Sequence, residues 1–178
     1  DKFAKIASQH LHPVNAVAFN PVSTLPILAS ACDGFDVRLW DYQTSKPHVI
    51  AALAAASEDP STLKGHDSTV KGLSWHPKGI ILASASRDRT AKIWDTAKVT
   101  CVKTLRGHKD WLNSVCFSPN GQKVVTGAWD YHVKHWNLRL AEDEINPPAL
   151  QSHDGPVAQV RYINGGEHFI SAAGDGKL

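Results

Sequence analysis

The amino-acid sequence predicts an all-β fold made of about four repeats, each with four antiparallel strands. Three observations support this prediction. The chain of 178 residues contains four histidine-led units with the same order of apolar, turn, hydroxyl and tryptophan positions. The segments between the turns are short and rich in Val, Ile, Thr and aromatic residues, which favours strands. The composition, 42% hydrophobic and 20% charged, is that of an ordinary globular protein.

The four units begin at His10, His66, His108 and His153. An apolar or aromatic residue stands four, seven and nine positions after each histidine, and a turn-forming Pro or Asn follows. His12 competes with His10 as the first origin, but only His10 keeps the apolar positions in register. These positions hold Val14, Val17 and Phe19; Val70, Leu73 and Trp75; Leu112, Val115 and Phe117; and Val157, Val160 and Tyr162.

A second apolar run in each unit ends on a hydroxyl residue, and a Trp follows in three of the units. The alternating runs Thr90–Trp94 and His132–Trp136 are typical of strands. Three strands after each histidine and one before it give four strands per repeat of about 42 residues. The first interval is longer because of residues 42–59, which we interpret as an insertion. The hydroxyl and Trp positions are Ser30 with Trp40, Ser84 with Trp94, Thr126 with Trp136, and Ser171.

Short residue pairs mark the ends of the units. Gly65-His66 is followed by Trp94-Asp95, Gly107-His108 by Trp136-Asn137, and Trp40-Asp41 ends the first unit. With these residues the chain resembles the WD40 repeats of a β-propeller over essentially its whole length. The resemblance implies an incomplete part of a larger propeller of about seven blades. The approximate repeats are 1–41, 60–95, 99–137 and 146–178.

Both ends of the pattern favour an incomplete ring. Lys2–Ala7 matches an outer strand whose inner strands lie elsewhere, and the fourth unit stops after its second strand. Unpaired strand edges promote self-association, and repeat arrays without caps expose their core. We therefore expect residues 1–178 in isolation to oligomerise.

The resemblance also implies a buried hydrogen-bond network in each repeat. It would link the leading His, the hydroxyl residue, the Asp of the next turn and the Trp. In the first unit Gly34 stands at the Asp position and is flanked by Asp33 and Asp36, so the network there is uncertain. The implied sets are His66, Ser84, Asp88 and Trp94; His108, Thr126, Asp130 and Trp136; and His153, Ser171 and Asp175.

Ser, His and Asp together could suggest a nucleophilic enzyme. Their recurrence in successive units favours scaffolding instead, because catalysis needs a single site with an exposed nucleophile. His132 and His135 could suggest a metal, but residues three apart on a strand face opposite sides of a sheet. We expect no enzymatic activity, no cofactor and no metal.

Charge and cysteine content exclude several further classes. The formal net charge of +2 is too small to favour direct nucleic-acid binding. Three Cys with unequal spacing and no glycosylation sequon favour an intracellular protein, cytoplasmic or nuclear. The longest apolar run, Val49–Ala56, is too short to span a membrane.

The resemblance implies a rigid platform that binds other proteins or other domains of the same polypeptide. Aromatic and Arg side chains dominate interface energy, and one rim of the predicted propeller collects several of them. Trp129 packing on its own blade is the plainer explanation. Three functions stay open: a scaffold in a multi-subunit assembly, a reader of short acidic or modified peptides, and an appended propeller of a larger enzyme or motor subunit. The candidate binding residues are Arg87, Arg89, Trp111, Trp129 and Tyr131.

Overall fold

The computed structural model describes residues 10–44, 46–47, 62–139 and 148–178, and its regular elements are β-strands apart from one 3₁₀ turn, Asn164–Gly166. The first sheet contains β1 Val14–Phe19, β2 Ile27–Cys32, β3 Val37–Asp41, β4 Lys46–Pro47 and β5 Thr62–Leu63. The second contains β6 Val70–Trp75, β7 Ile81–Ser86, β8 Thr90–Asp95 and β9 Thr100–Arg106. The third contains β10 Leu112–Phe117, β11 Lys123–Ala128, β12 His132–Asn137 and β13 Ala149–Ser152. The fourth contains β14 Val157–Ile163 and β15 His168–Ala173.

Every strand pair in the four sheets is antiparallel, and the sheets share one register. The hydroxyl residue of the second strand pairs with the apolar residue seven positions after the leading histidine. A β-bulge lies near the start of each innermost strand. The predicted all-β propeller repeats are confirmed. The equivalent pairs are Val17 with Ser30, Leu73 with Ser84, Val115 with Thr126, and Val160 with Ser171.

The first sheet differs from the others in its outer strand. Lys46–Pro47 pairs with one end of β3 and Thr62–Leu63 pairs with the other end. Both short strands run antiparallel to β3, so together they occupy the place of a single outer strand. Lys46 and Pro47, which we assigned to the 42–59 insertion, therefore form the first part of the outer strand. The extra residues of the first unit come between the two parts of this strand in the chain, not before it.

Successive sheets are joined through their innermost strands. The Trp75 indole donates to the Ala18 carbonyl at 2.9 Å, which links β6 to β1. The amide of Phe117 donates to Ser74 Oγ at 3.0 Å, and the amide of Val160 donates to Ser114 Oγ at 3.1 Å. Buried Val, Leu, Ala and Trp side chains form clusters that span neighbouring sheets. The innermost strands of the four sheets line a cavity of about 470 Å³.

Some expectations concern other parts of the chain. The outer strand predicted at Lys2–Ala7 and the apolar run Val49–Ala56 lie outside the described residues. Among the residues that are described, no helix has the length and apolar character needed to cross a membrane. The three cysteines are unpaired: Cys32 is buried, Cys116 is half-buried and Cys101 is exposed.

The turn after the second strand has one backbone feature in common in all four sheets. Its third residue lies in the left-handed region, with φ of 71° at Phe35, 70° at Arg89, 69° at Tyr131 and 75° at Gly176. Three-residue hairpin loops commonly end in a residue with this left-handed conformation. Only glycine adopts it without a steric cost. Two of the candidate binding residues, Arg89 and Tyr131, therefore occupy strained positions.

Replacing Arg89 with glycine should relieve this strain. We expect Arg89→Gly to raise the free energy of unfolding by about 1 kcal/mol relative to Arg89→Ala, because a left-handed L-residue costs about 1–2 kcal/mol. The alanine variant is the matched control, since it also removes the side chain but retains the Cβ. Chemical denaturation of both variants measures the difference. Equal stabilities would show that the turn stores no strain at this position.

Candidate functional site

A buried hydroxyl lies at the centre of the second and third sheets. Ser84 Oγ accepts from Trp94 Nε1 at 2.8 Å and lies 2.7 Å from His66 Nε2. On the other side of the imidazole ring, His66 Nδ1 lies 2.6 Å from Asp88 Oδ2. The four side chains come from β7, β8, the segment before β6 and the turn after β7. One network therefore joins these two strands to the segment before β6 and to the turn after β7.

The third sheet repeats this geometry with a threonine. Thr126 Oγ1 accepts from Trp136 Nε1 at 2.8 Å and lies 2.8 Å from His108 Nε2, while His108 Nδ1 lies 2.8 Å from Asp130 Oδ2. The equivalent distances in the fourth sheet are 2.8 Å from His153 Nε2 to Ser171 Oγ and 3.0 Å from His153 Nδ1 to Asp175 Oδ2. The structure thus brings together every residue of the three sets expected from the repeat pattern.

The donor and acceptor capacities fix where the protons lie in these networks. An indole N–H can only donate, so the hydroxyl oxygen accepts from the Trp. An ionised carboxylate can only accept, so histidine Nδ1 carries the ring proton and donates it to the Asp. In that tautomer a neutral ring has its lone pair at Nε2, which can accept from the hydroxyl. Every polar atom on this path has a partner.

The carboxylates of these networks have lowered pKa values. Burial alone would raise the pKa of Asp130, but hydrogen bonds from His108 and the Lys109 amide outweigh it and lower that pKa. The pKa of Asp175 is lowered most by the hydrogen bond from the Lys177 amide, and burial opposes this effect. Hydrogen bonds from the Asp154 amide and from His153 lower it further, to about 2. These Asp side chains are therefore held ionised.

The networks cannot supply a nucleophile to a substrate. Ser84 and Thr126 have no exposed surface, and each oxygen already contacts both an indole and an imidazole. A catalytic hydroxyl needs access to the substrate and an adjoining oxyanion site. The arrangement instead fixes the loop before each innermost strand against the following turn.

The first sheet has a different arrangement around its hydroxyl. Ser30 Oγ accepts from Trp40 Nε1 at 2.7 Å and lies 2.6 Å from His10 Nε2, as in the other sheets. Gly34 takes the turn position of the Asp, and the nearest carboxylate oxygen to His10 Nδ1 is that of Asp36, at 3.9 Å. Burial lowers the pKa of His10, although Asp36 partly opposes this effect.

Five residues form what we call the rim surface: Arg87, Arg89, Trp111, Trp129 and Tyr131. The guanidinium carbon of Arg87 lies 4.6 Å from the ring centroid of Trp111, which belongs to the next sheet. The Trp111 and Trp129 rings lie 5.5 Å apart, and the Trp129 amide donates to the Trp111 carbonyl at 2.8 Å. Trp111, Trp129 and Tyr131 are 40%, 42% and 45% exposed.

The structure therefore joins three of the rim residues directly. Within the described ranges no ring or cation contact joins Arg89 or Tyr131 to the other three, and both project from adjacent turns. Trp129 packs on its own sheet through Trp111, as the plainer explanation expects, yet both rings keep a large exposed fraction. Trp111 and Trp129 are thus packed against each other and still partly exposed to solvent.

The two histidines considered as metal ligands lie in separate surroundings. His132 Nδ1 lies 3.0 Å from Ser152 Oγ on β13, whereas the His135 ring packs near Tyr162 and Phe169 of the fourth sheet. Spacing within a strand could predict this separation. It could not predict that Cys32 lies near His10 and Asp36, because that cluster depends on the path of the turn between β2 and β3.

Removal of a central hydroxyl tests the network. Thr126→Val keeps the side-chain shape but leaves Trp136 Nε1 and His108 Nε2 without a partner, so we expect it to lower the free energy of unfolding by about 2–4 kcal/mol. Thr126→Ser retains the hydroxyl and should cost clearly less. Urea denaturation of the full-length protein measures both. If the valine and serine variants were equally stable, the hydrogen bonds would contribute nothing.

The lowered carboxylate pKa values predict acid sensitivity. A carboxyl whose folded pKa lies below its unfolded value, about 3.9, stabilises the fold above that pH, and the contribution is lost as the pH falls toward the folded pKa. We therefore expect stability to fall between about pH 4 and pH 2. Asp130→Asn should reduce this slope because one titrating group is removed. An Asp130→Asn variant whose stability falls with pH as steeply as that of the wild type would contradict the assignment.

Comparison with known proteins agrees with the geometry. The family model described as WD domain, G-beta repeat, matches residues 3–41, 53–95 and 99–137. The nuclear distribution protein PAC1 of Arthroderma benhamiae is 30% identical, over 76% of this chain and 38% of that protein. The PAC1 protein of Coccidioides posadasii is 34% identical, over 68% of this chain and 34% of its own length.

A second type of relative covers more of the chain. A chromatin assembly factor 1 subunit of Gallus gallus is 29% identical over 90% of this chain and 30% of that protein. The chain thus spans about a third of the length of the curated relatives it matches. The family model, the repeated sheet register and the His, hydroxyl and Trp geometry together show that this chain belongs to the WD40-repeat family.

Proposed function

We propose that the chain is a non-catalytic protein-interaction scaffold that docks partner proteins within a multi-subunit assembly. The observation that carries this proposal is the exposed pair of Trp111 and Trp129 with Arg87 stacked on it. Large aromatic and Arg side chains supply most of the binding energy of protein interfaces. Their grouping on one rim gives a partner a place to bind.

The packing of the rim surface favours tight binding. Each of its two Trp rings is more than half buried against its own protein, so little side-chain freedom is lost when a partner arrives. The exposed parts of the rings still offer apolar area with a polar indole N–H. Arg87 contributes a cation that forms no salt bridge within the described ranges. The surface therefore suits a partner with an apolar group beside an acceptor.

The relatives support the coarse form of the proposal. One is named as a subunit of a chromatin assembly factor, and the others are named for nuclear distribution. These names favour membership of an assembly inside the cell, in the cytoplasm or the nucleus. The buried, fully partnered hydroxyls support a non-catalytic role, since no network oxygen is open to a substrate.

Partner binding by the full-length protein tests the scaffold proposal. Proteins captured by the wild type should be lost or depleted with Trp111→Ala and Tyr131→Ala. Binding of the purified partner should weaken by about 30-fold or more, the effect of losing a residue worth about 2 kcal/mol. Isothermal titration with each variant measures the affinity.

The control removes an exposed apolar group elsewhere. Val102 on β9 is 51% exposed and lies on an outer strand, so Val102→Ala should leave partner binding intact. Circular dichroism should show that all variants melt as the wild type does. A partner that binds the rim variants and the wild type equally would rule out this surface as the docking site.

The second candidate function is the reading of short acidic or modified peptides. The lack of a salt bridge at Arg87 within the described ranges, together with the exposed Arg89, favours an anionic ligand. An acidic peptide should quench or shift the fluorescence of Trp111 and Trp129, and Arg87→Ala should weaken its binding. Lys78→Ala, which removes an exposed cation from the opposite rim, is the charge-matched control. Equal losses with both variants would indicate non-specific attraction instead.

A further inference from the structure

Three different metal-binding side chains meet in the first sheet, away from the rim surface. One ligand atom each from His10, Cys32 and Asp36 lies within 4.8 Å of the other two, among the residues that the structure describes. The Cys32 thiol donates to Asp36 Oδ1 at 2.8 Å, and His10 Nδ1 lies 3.9 Å from the same oxygen. The His10 side chain is only 1% exposed, as is Cys32. The three residues come from the segment before β1, from β2 and from the turn before β3.

His10 differs from the equivalent histidines in lacking a partner at Nδ1. In the other three sheets this atom lies 2.6, 2.8 and 3.0 Å from a carboxylate oxygen. In the first sheet it is buried and makes no hydrogen bond within the described part of the chain. A buried nitrogen without a partner costs free energy. It lies 3.9 Å from Asp36 Oδ1, the same oxygen that accepts from the Cys32 thiol.

The surrounding residues orient this cluster. Ser30 Oγ lies 2.6 Å from His10 Nε2 and can accept a hydrogen bond from an Nε2–H, in the tautomer opposite to that of the other histidines, which leaves the Nδ1 lone pair available. Arg38 Nε donates to Asp36 Oδ2 at 3.0 Å and leaves Oδ1 facing the cluster. Metal-binding His and carboxylate side chains are commonly held by such outer partners. Both ligand side chains are therefore held in place.

The equivalent positions in the second sheet show what has changed. Cys32 replaces Ser86, and Gly34 replaces the Asp of the network, as the shared register shows. The Gly34 amide lies 3.3 Å from Cys32 Sγ, and the Asp88 amide lies 3.1 Å from Ser86 Oγ, so the turn is built alike. At these two positions the first sheet thus has a thiol in place of a hydroxyl and a glycine in place of the network carboxylate.

We propose that His10 Nδ1, Cys32 Sγ and Asp36 Oδ1 form a Zn²⁺ site. A mixed set of imidazole, thiolate and carboxylate suits zinc, whereas calcium and magnesium take oxygen ligands. Binding needs only the loss of the thiol proton to solvent and small movements, because the ligand atoms already lie within 4.8 Å of one another. A water molecule takes the remaining tetrahedral position.

The absence of a side chain at Gly34 keeps this position open. A Cβ there would lie 3.3 Å from Cys32 Sγ and 2.7 Å from His12 Cδ2. The exposed His12 ring and the Cys32 thiol therefore lie on either side of Gly34. A bound ion would join the segment before β1 to the turn before β3, much as the His–Asp hydrogen bond joins the equivalent segments in the other sheets, and would include β2 through Cys32.

Metal titration of the full-length protein tests this site. After treatment with a chelator, Co²⁺ is added as a spectroscopic probe and Zn²⁺ as its competitor. We expect a thiolate-to-cobalt charge-transfer band that Zn²⁺ removes, and a higher Tm with Zn²⁺ because the ion binds only the folded state. Cys32→Ser should abolish the band. Asp36→Asn should weaken affinity by at least about tenfold, since even outer partners of a metal ligand contribute about 10–100-fold.

The other cysteines provide the matched control. Cys101→Ser and Cys116→Ser remove thiols outside the cluster and should keep both the band and the Tm shift. Ser86 occupies the position equivalent to Cys32 in the second sheet, so Cys32→Ser should fold, which a thermal melt checks. If Cys32→Ser does not fold, the loss of metal affinity in Asp36→Asn tests the site instead. No band in the wild type, or a band that survives Cys32→Ser, would overturn the proposal and leave the cluster as a hydrogen-bonded substitute for the His–Asp pair.

Discussion

Each sheet of this protein depends on one buried hydroxyl that contacts an imidazole, and in three sheets the hydroxyl also accepts from an indole. The oxygen satisfies two side chains that could not otherwise be buried, since both carry a polar N–H or nitrogen. The indole fills the space between strands, and the imidazole holds the loop that precedes the innermost strand. Where all three side chains are present, this contact joins the second strand, the third strand and the loop before the innermost strand.

The rim surface is a consequence of these internal networks. In the third sheet the His108–Asp130 pair fixes the loop before β10 against the turn after β11, and these two segments carry Trp111 and Trp129. The left-handed residue that ends the same turn is Tyr131. Side chains suited to binding are thus held on a backbone that the buried contacts keep rigid, and little order has to be gained when a partner binds.

The repeated parts of the fold could be predicted from sequence because each rests on a residue that recurs at fixed spacing. The His, hydroxyl and Trp positions identified the strands and their register, since Ser84 and Trp94 need each other to be buried. The same reasoning could not find the cluster at Cys32. Only His10 belongs to the repeated set, whereas Cys32 and Asp36 stand where the first unit differs from the second. Only the path of the turn brings Asp36 back toward His10. The grouping of Arg87 with Trp111 also crosses two sheets, which spacing within one unit does not reveal.

The divided outer strand of the first sheet has a consequence for how the chain can change length. Pro47 pairs with Trp40, and Thr62 pairs with Arg38, so the points where residues 48–61 leave and rejoin the sheet are two strand positions apart, roughly 7 Å. The entropic cost of a loop with close ends grows only slowly with its length. Chain can therefore be added or removed here without altering the register of β3. The outer edge of this sheet is a place where evolution, or a designer, could graft a new segment onto the propeller while leaving every buried network intact.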